Sequence, residues 1–184
     1  MYPKLPINTS KISYKENIVN NGKVVVFHGI NRKGTKGTAL VEEAFNILNT
    51  KYPNDLECVC AGGLPLNEYQ ELLNRVNICI DQTYSPESGM NALISMAKGK
   101  VVLGGADPTF TSAMGLSDTP LVDISPSVKD IINKIEKLLD NRKSLPEMGR
   151  SARDFVEKHH DCRIIANRYI DLWNTYLKAQ PEAS

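Results

Sequence analysis

The stretch Val24-Val25-Val26-Phe27 is apolar at every position and ends at His28-Gly29. An unbroken run of this kind is a strand buried on both faces, the environment of a parallel sheet. Parallel strands need crossover connections, and the sequence supplies them. After a glycine-rich loop over 29–37, Val41, Ala44, Phe45 and Leu48 recur at three- and four-residue steps. That spacing predicts a helix from Thr38 that stops at Tyr52-Pro53. The unit then repeats. Strands are expected over 56–61, 76–81, 101–103 and 120–124, with a short helix over 67–75. Met90, Leu93, Ile94 and Ala97 predict another helix from near Ser88 to Gly99.

The remainder reads as helical. Val128, Ile131, Ile132, Ile135, Leu138 and Leu139 form one apolar stripe, with Ser125 or Ser127 as its cap. A further helix is expected over 145–159. The last one carries Ala166, Ile170, Trp173 and Leu177 on one face, a face that either packs on the sheet or stands exposed. The expected fold is α/β: a Rossmann-like parallel sheet with helices on both faces. Residues 1–21, with two prolines and no periodicity, read as an arm or linker, with order beginning near Lys23. The domain is expected over 22–178, and 179–184 as a fraying tail.

At 184 residues the chain fits one sizeable domain. Its 22 Lys and Arg face 21 Asp and Glu, a net charge of +1, which gives no broad basic field for nucleic acid. An anion must be held locally. No window reaches the roughly 20 apolar residues of a membrane span, and the start lacks the apolar core of a secretory signal. A cytoplasmic protein is the expectation. Cys58, Cys60, Cys79 and Cys162 show no CxxC pair or metal spacing and read as reduced thiols, three of them in apolar runs.

Ligands of such sheets bind beyond the carboxyl ends of the strands. The loop after the first strand gathers Arg32, Lys33 and Lys36 among Gly29, Gly34 and Gly37. Glycines let a ligand approach the backbone, and the two cation types suit phosphate oxygens. It is either a local anion trap or a solvated basic turn. It is not a Walker loop, because the GxxxxGK[ST] order is absent. The loop after the third strand leads into the amino end of the helix near Ser88, whose first N–H groups lack internal partners. Ser88, Gly89, Met90 and Asn91 would offer backbone donors to a pyrophosphate, and Glu87 would accept from sugar or ribose hydroxyls. Ser88 as an ordinary cap and Glu87 as a charge placed near a helix dipole are the plainer readings. His28 stands as ligand-facing or as a satisfied strand-end histidine. His159 and His160 read as surface or capping residues. No Ser/His/Asp arrangement supports a self-contained hydrolase.

Together HGINRKGTKGT, IDQTYSPESGMNALISMAKGKVV and ARDFVEKHHDCRIIANRYIDLW resemble the carboxyl-terminal half of GT-B glycosyltransferases. The class is the large retaining one that includes many bacterial surface-polysaccharide enzymes, and the likeness runs over 23–173. The resemblance implies a domain that binds a nucleotide-diphosphate sugar, with a separate amino-terminal half supplying the acceptor cleft. It implies Arg32 and Lys36 on the donor diphosphate, with Gly89, Met90 and Asn91 closing on it. It further implies a hexosyltransferase that retains anomeric configuration, acts in glycan assembly without a metal or other cofactor, and is inactive as an isolated half. The full-length enzyme would lie in the cytoplasm or peripherally on the inner membrane face. The family carries two glutamates eight positions apart, and Pro86 and Ile94 occupy those places here, with Glu87 displaced by one. The alternative is a non-catalytic nucleotide-binding or regulatory module that keeps the fold. A flavodoxin-like receiver would want an acidic cluster at the strand ends, where only Asp81 stands.

Overall fold

The computed structural model describes residues 5–20, 22–30, 36–85, 88–106, 111–112, 115–116 and 119–179. Among these, β1 (Val24–Gly29), β2 (Leu56–Ala61), β3 (Ile78–Ile80), β4 (Val101–Gly104) and β5 (Val122–Asp123) form one sheet. Its order is β2-β1-β3-β4-β5 and every pairing is parallel. The helices are α1 (Thr38–Lys51), α2 (Leu66–Arg75), α3 (Met90–Ala97), α4 (Val128–Asp140), α5 (Leu145–His160) and α6 (Cys162–Ala179). The α/β sheet covered on both faces is the expected class.

The apolar run of β1 explains the layering. Val24 and Val26 join Val41 and Leu48 of α1 and Ile131 and Ile135 of α4 in one core. Val25 and Phe27 face the other way, onto Leu73 of α2, Leu93 and Met96 of α3, and Val156 of α5. Successive side chains of a strand point to opposite faces, so an all-apolar strand feeds both cores.

Several boundaries move. β3 is shorter than expected, because the Val76 N–H still closes α2 on the Leu72 carbonyl and Asn77 turns its carboxamide to the backbone of Val25. Ser127 takes the position before α4 without a side-chain cap bond. Instead Asp130 accepts from the Ser125 N–H at 2.8 Å and its hydroxyl at 2.9 Å.

Order does not begin at Lys23. Residues 5–20 contain a short 3-10 turn, Thr9–Lys11, and a single parallel bridge from Ile7 to Asp161, yet Ile7, Thr9 and Asn17 are buried. The Ile7 N–H donates to the His160 carbonyl, and the Cys162 N–H donates to the Ile7 carbonyl, both at 2.8 Å. Thr9 donates its hydroxyl to Asp161. Arg153 donates to the carbonyls of Ile12 and Ala97 at 2.7 Å and of Thr9 at 3.1 Å. The Asn17 carboxamide donates to the Asn77 backbone carbonyl and accepts from the Asn77 carboxamide, both at 2.9 Å, under the amino end of the sheet. Lone polar contacts of this kind leave no periodic trace in sequence.

The final helix decides between its two readings. Ile170, Trp173 and Leu177 are 49%, 62% and 68% exposed, so this part of α6 does not pack on the sheet. All four cysteines are free thiols, and burial pushes Cys58 up to about 12 and Cys79 to about 11. No helix among the described residues is long and apolar enough to cross a membrane.

Candidate functional site

Strand order reverses between β1 and β3: one crossover leaves toward β2, the other toward β4. A crevice opens at such a switch point, beyond the carboxyl ends of the strands. Four segments meet there. Gly29 ends β1, Lys36 and Gly37 lead into α1, Asp81 follows β3, and Ser88 and Gly89 lead into α3.

Asp81 ties these segments together. Its Oδ1 accepts from Lys36 Nζ at 3.0 Å and its Oδ2 accepts from the Gly89 N–H at 2.7 Å. The Asp81 side chain is 2% exposed and that of Lys36 13%. A carboxylate buried so far persists only when paired, and here a cation and a helix-end amide pair it. Ser88 is not the helix cap: Gly89 takes that position, without a side-chain cap from its own segment. The Asp81 carboxylate, eight residues upstream, does the work a cap would do.

Gly37 fixes how closely the two loops approach. Its φ is +70°, and a Cβ there would stand 2.0 Å from Thr83 Oγ1. Only glycine meets both demands. The Thr83 N–H donates to the Lys36 carbonyl at 3.2 Å, and the buried Thr83 hydroxyl has no hydrogen-bond partner among the described residues.

His28 is a satisfied strand residue. The Ile80 carbonyl 3.0 Å from Nδ1 can only accept, so Nδ1 carries the proton and Nε2 accepts from the Thr38 hydroxyl at 3.0 Å. Burial lowers its pKa, which keeps the ring neutral. His160 corrects the surface reading: it is buried, and its Nδ1 meets the Leu5 carbonyl at 3.0 Å.

A cleft of about 260 Å³ continues from the crevice past the end of β2, lined by Gly62, Gly63, Leu64, Tyr69 and Asn91. Tyr69 and Asn91 also line a smaller hollow holding Gly29, Lys36 and Asp81. The Asn91 carboxamide lies over Gly29, its nitrogen 3.9 Å from where a Cβ would be. Burial raises the Tyr69 hydroxyl to about 12, so it stays a donor. Among the described residues no group of three His, Cys, Asp or Glu is placed to hold a metal ion.

Of the residues singled out from sequence, Gly29, Lys36, Gly37, Gly89 and Asn91 meet at this crevice. Met90 opens α3 and is 42% exposed; Ser88 is half-buried beside it. Arg32 and Glu87 lie outside the described residues. Sequence reading passed over Tyr69 and Thr83 and gave Asp81 no ligand role. Asp81 had a usable signal, as a lone charge directly after an apolar strand.

No protein-family model matches the sequence, and no curated protein does. Solved structures do match. The carboxyl-terminal domain of the glycosyl transferase group 1 family protein LpcC from Francisella tularensis superposes with a TM-score of 0.61 at 22% identity, over 84% of this chain and 98% of that one. A glycosyltransferase from Rickettsia africae gives 0.68 at 14% identity, over 97% of this chain and 57% of its own. Anabaena HepE, solved with UDP and glucose, gives 0.60 at 14% identity, over 83% and 48%. The chain thus spans about half the length of these last two. The fold is that of the carboxyl-terminal domain of GT-B glycosyltransferases.

Proposed function

We propose that this domain binds a nucleotide-diphosphate sugar as the donor half of a glycosyltransferase. One observation carries the reading: Lys36, the amino end of α3 and Asn91 converge on the crevice between β1 and β3. It is supported by the likeness in fold to HepE, which was solved with UDP. Lys36 faces the diphosphate, the resemblance assigns Arg32 of the same loop to it as well, and the N–H groups at the amino end of α3 complete its cradle. The cleft past β2, lined by Tyr69 and Asn91, takes a further part of the ligand.

As the bond from sugar to diphosphate breaks, negative charge grows on the departing nucleotide. Fixed positive groups aimed at that charge stabilise the transition state more than the ground state. Among the described residues no side chain is placed for covalent work. The reaction is hexosyl transfer to an acceptor hydroxyl in glycan or surface-polysaccharide synthesis. These residues by themselves transfer little, since the acceptor is positioned by another domain and positioning is worth roughly 7–11 kcal/mol. A second reading, a nucleotide-binding module without catalysis, is favoured by Ile94, half-buried on α3 where the resemblance to GT-B enzymes implies a glutamate.

Calorimetry of the chain against UDP, GDP, ADP and their nucleosides tests donor binding. Saturable binding of one diphosphate, much weaker for its nucleoside, is expected; no binding by any of them overturns the assignment. Donor hydrolysis by the chain, followed by chromatography, separates the two readings, since the non-catalytic module leaves the donor intact.

A further inference from the structure

The two groups assigned to the ligand's diphosphate already hold an anion of the protein's own. Asp81 accepts from Lys36 Nζ at 3.0 Å through one oxygen and from the Gly89 N–H at 2.7 Å through the other. A phosphate oxygen arriving at this pole needs the same donors. The charges can be counted. Lys36 contributes one positive charge and the helix end roughly half of one, while Asp81 cancels one. Among the described residues about half a positive charge is then left at the pole for a group that carries two or more negative ones.

We infer that Asp81 is a specificity-determining residue that competes with the ligand diphosphate for Lys36 and the amino end of α3, and so weakens the hold on it. The inference rests on the donor-site reading above. Asp81 is not reached by solvent, so its charge is poorly screened at the distances involved. Its removal therefore acts on the diphosphate part of the ligand, and leaves the cleft past β2 unaltered. A purely structural role predicts the opposite sign. If Asp81 served only to position Lys36 and Gly89, its loss would loosen both groups and weaken every ligand.

The test compares the wild-type chain with Asp81→Asn, an isostere that can still accept from Lys36. Titrations use UDP, inorganic pyrophosphate and uridine. Competition predicts that UDP and pyrophosphate bind the variant at least tenfold tighter, with uridine unchanged, and that Lys36→Gln in the same background reduces the gain. Equal or weaker binding of UDP by the variant overturns the inference and leaves the donor site standing. Absence of binding to both proteins overturns the two together. If Asp81→Asn does not fold, the Gly89 amide of the wild-type chain is followed by NMR during a UDP titration. A large shift, as the amide exchanges its carboxylate partner for phosphate, is expected; an unmoved Gly89 amide at saturation overturns the competition.

Discussion

Asn49, on α1, turns its carboxamide onto the backbone of Cys58 in the edge strand β2: Nδ2 donates to the Cys58 carbonyl at 3.0 Å and Oδ1 accepts from its N–H at 2.9 Å. β2 bonds β1 through its odd residues, as the carbonyls of Asp55 and Ala61 show, so Cys58 faces the open side. One side chain thus stands in for a neighbouring strand at the middle of a free edge, where an unpaired backbone invites association.

Asn49→Asp keeps the acceptor and replaces the donor with an oxygen facing a carbonyl. The expected loss is about 1 kcal/mol or more, a fall of roughly 2–4 °C in melting temperature for a chain of this size. Asn49→Ala, which lets water reach both groups, should cost less. Thermal unfolding of the two variants side by side checks the order.

Arg32→Ala together with Lys36→Ala should weaken nucleoside diphosphate binding more than tenfold, because two charge-assisted contacts of about 1.5–3 kcal/mol are lost. Lys36 is also the cation that holds Asp81, and stranding a buried carboxylate costs about 3–5 kcal/mol. Of the single variants, Arg32→Ala should therefore lose affinity, and Lys36→Ala both affinity and melting temperature. Calorimetry paired with melting curves reads the split.

The Thr9 hydroxyl, and after it Arg163, hold the Asp161 carboxyl down to about 2, against a burial that acts the other way. An unfolded aspartate titrates near roughly 3.9, so between these values the folded state binds fewer protons than the unfolded one. The stabilisation is complete above pH 4 and is lost as pH falls through 2. Asp161→Asn should melt below the wild type at pH 6, and the gap should close on acidification toward pH 2.

Lys100 is the reverse case. It is 2% exposed, and burial lowers its pKa from 10.5 to about 8. Between those values the unfolded chain binds the extra proton, so this group makes stability rise with pH over that window. Lys100→Met removes the cost of burying the charge. At pH 7 the variant should be more stable by about 2–3 kcal/mol, and its advantage should shrink as pH climbs from 8 toward 10.5. Urea titrations at three pH values measure this.

The sheet was legible because Val24–Phe27 and its sister runs are apolar without interruption, and the helices because their stripes keep helical spacing. The crevice was legible through Gly37, Lys36 and the loop entering α3. What stayed hidden has no period. Arg153 gathers three carbonyls from two separated segments, and nothing in its neighbours announces that. Asp81 read as an isolated acid, since its meaning depends on Lys36 lying 45 positions away. On α6 the spacing of Ile170, Trp173 and Leu177 is that of a buried stripe, yet the face is exposed. Periodicity reports that a helix has an apolar side, and is silent on what covers it.

The docked arm imposes an order on folding. Thr9 and its partner Asp161 are separated by 152 positions. At roughly 5–20 residues per second of synthesis, on the order of ten seconds pass between the emergence of one and of the other. For most of that interval, until Arg153 and His160 emerge, the Thr9 carbonyl and the Ile7 N–H lack their partners, while β1, α1 and β2 can already pair. The seam between the arm and the start of α6 is therefore closed after the sheet is built, and a nascent chain halted before Arg153 would carry the start of the arm open to proteases beside a sheet already in register.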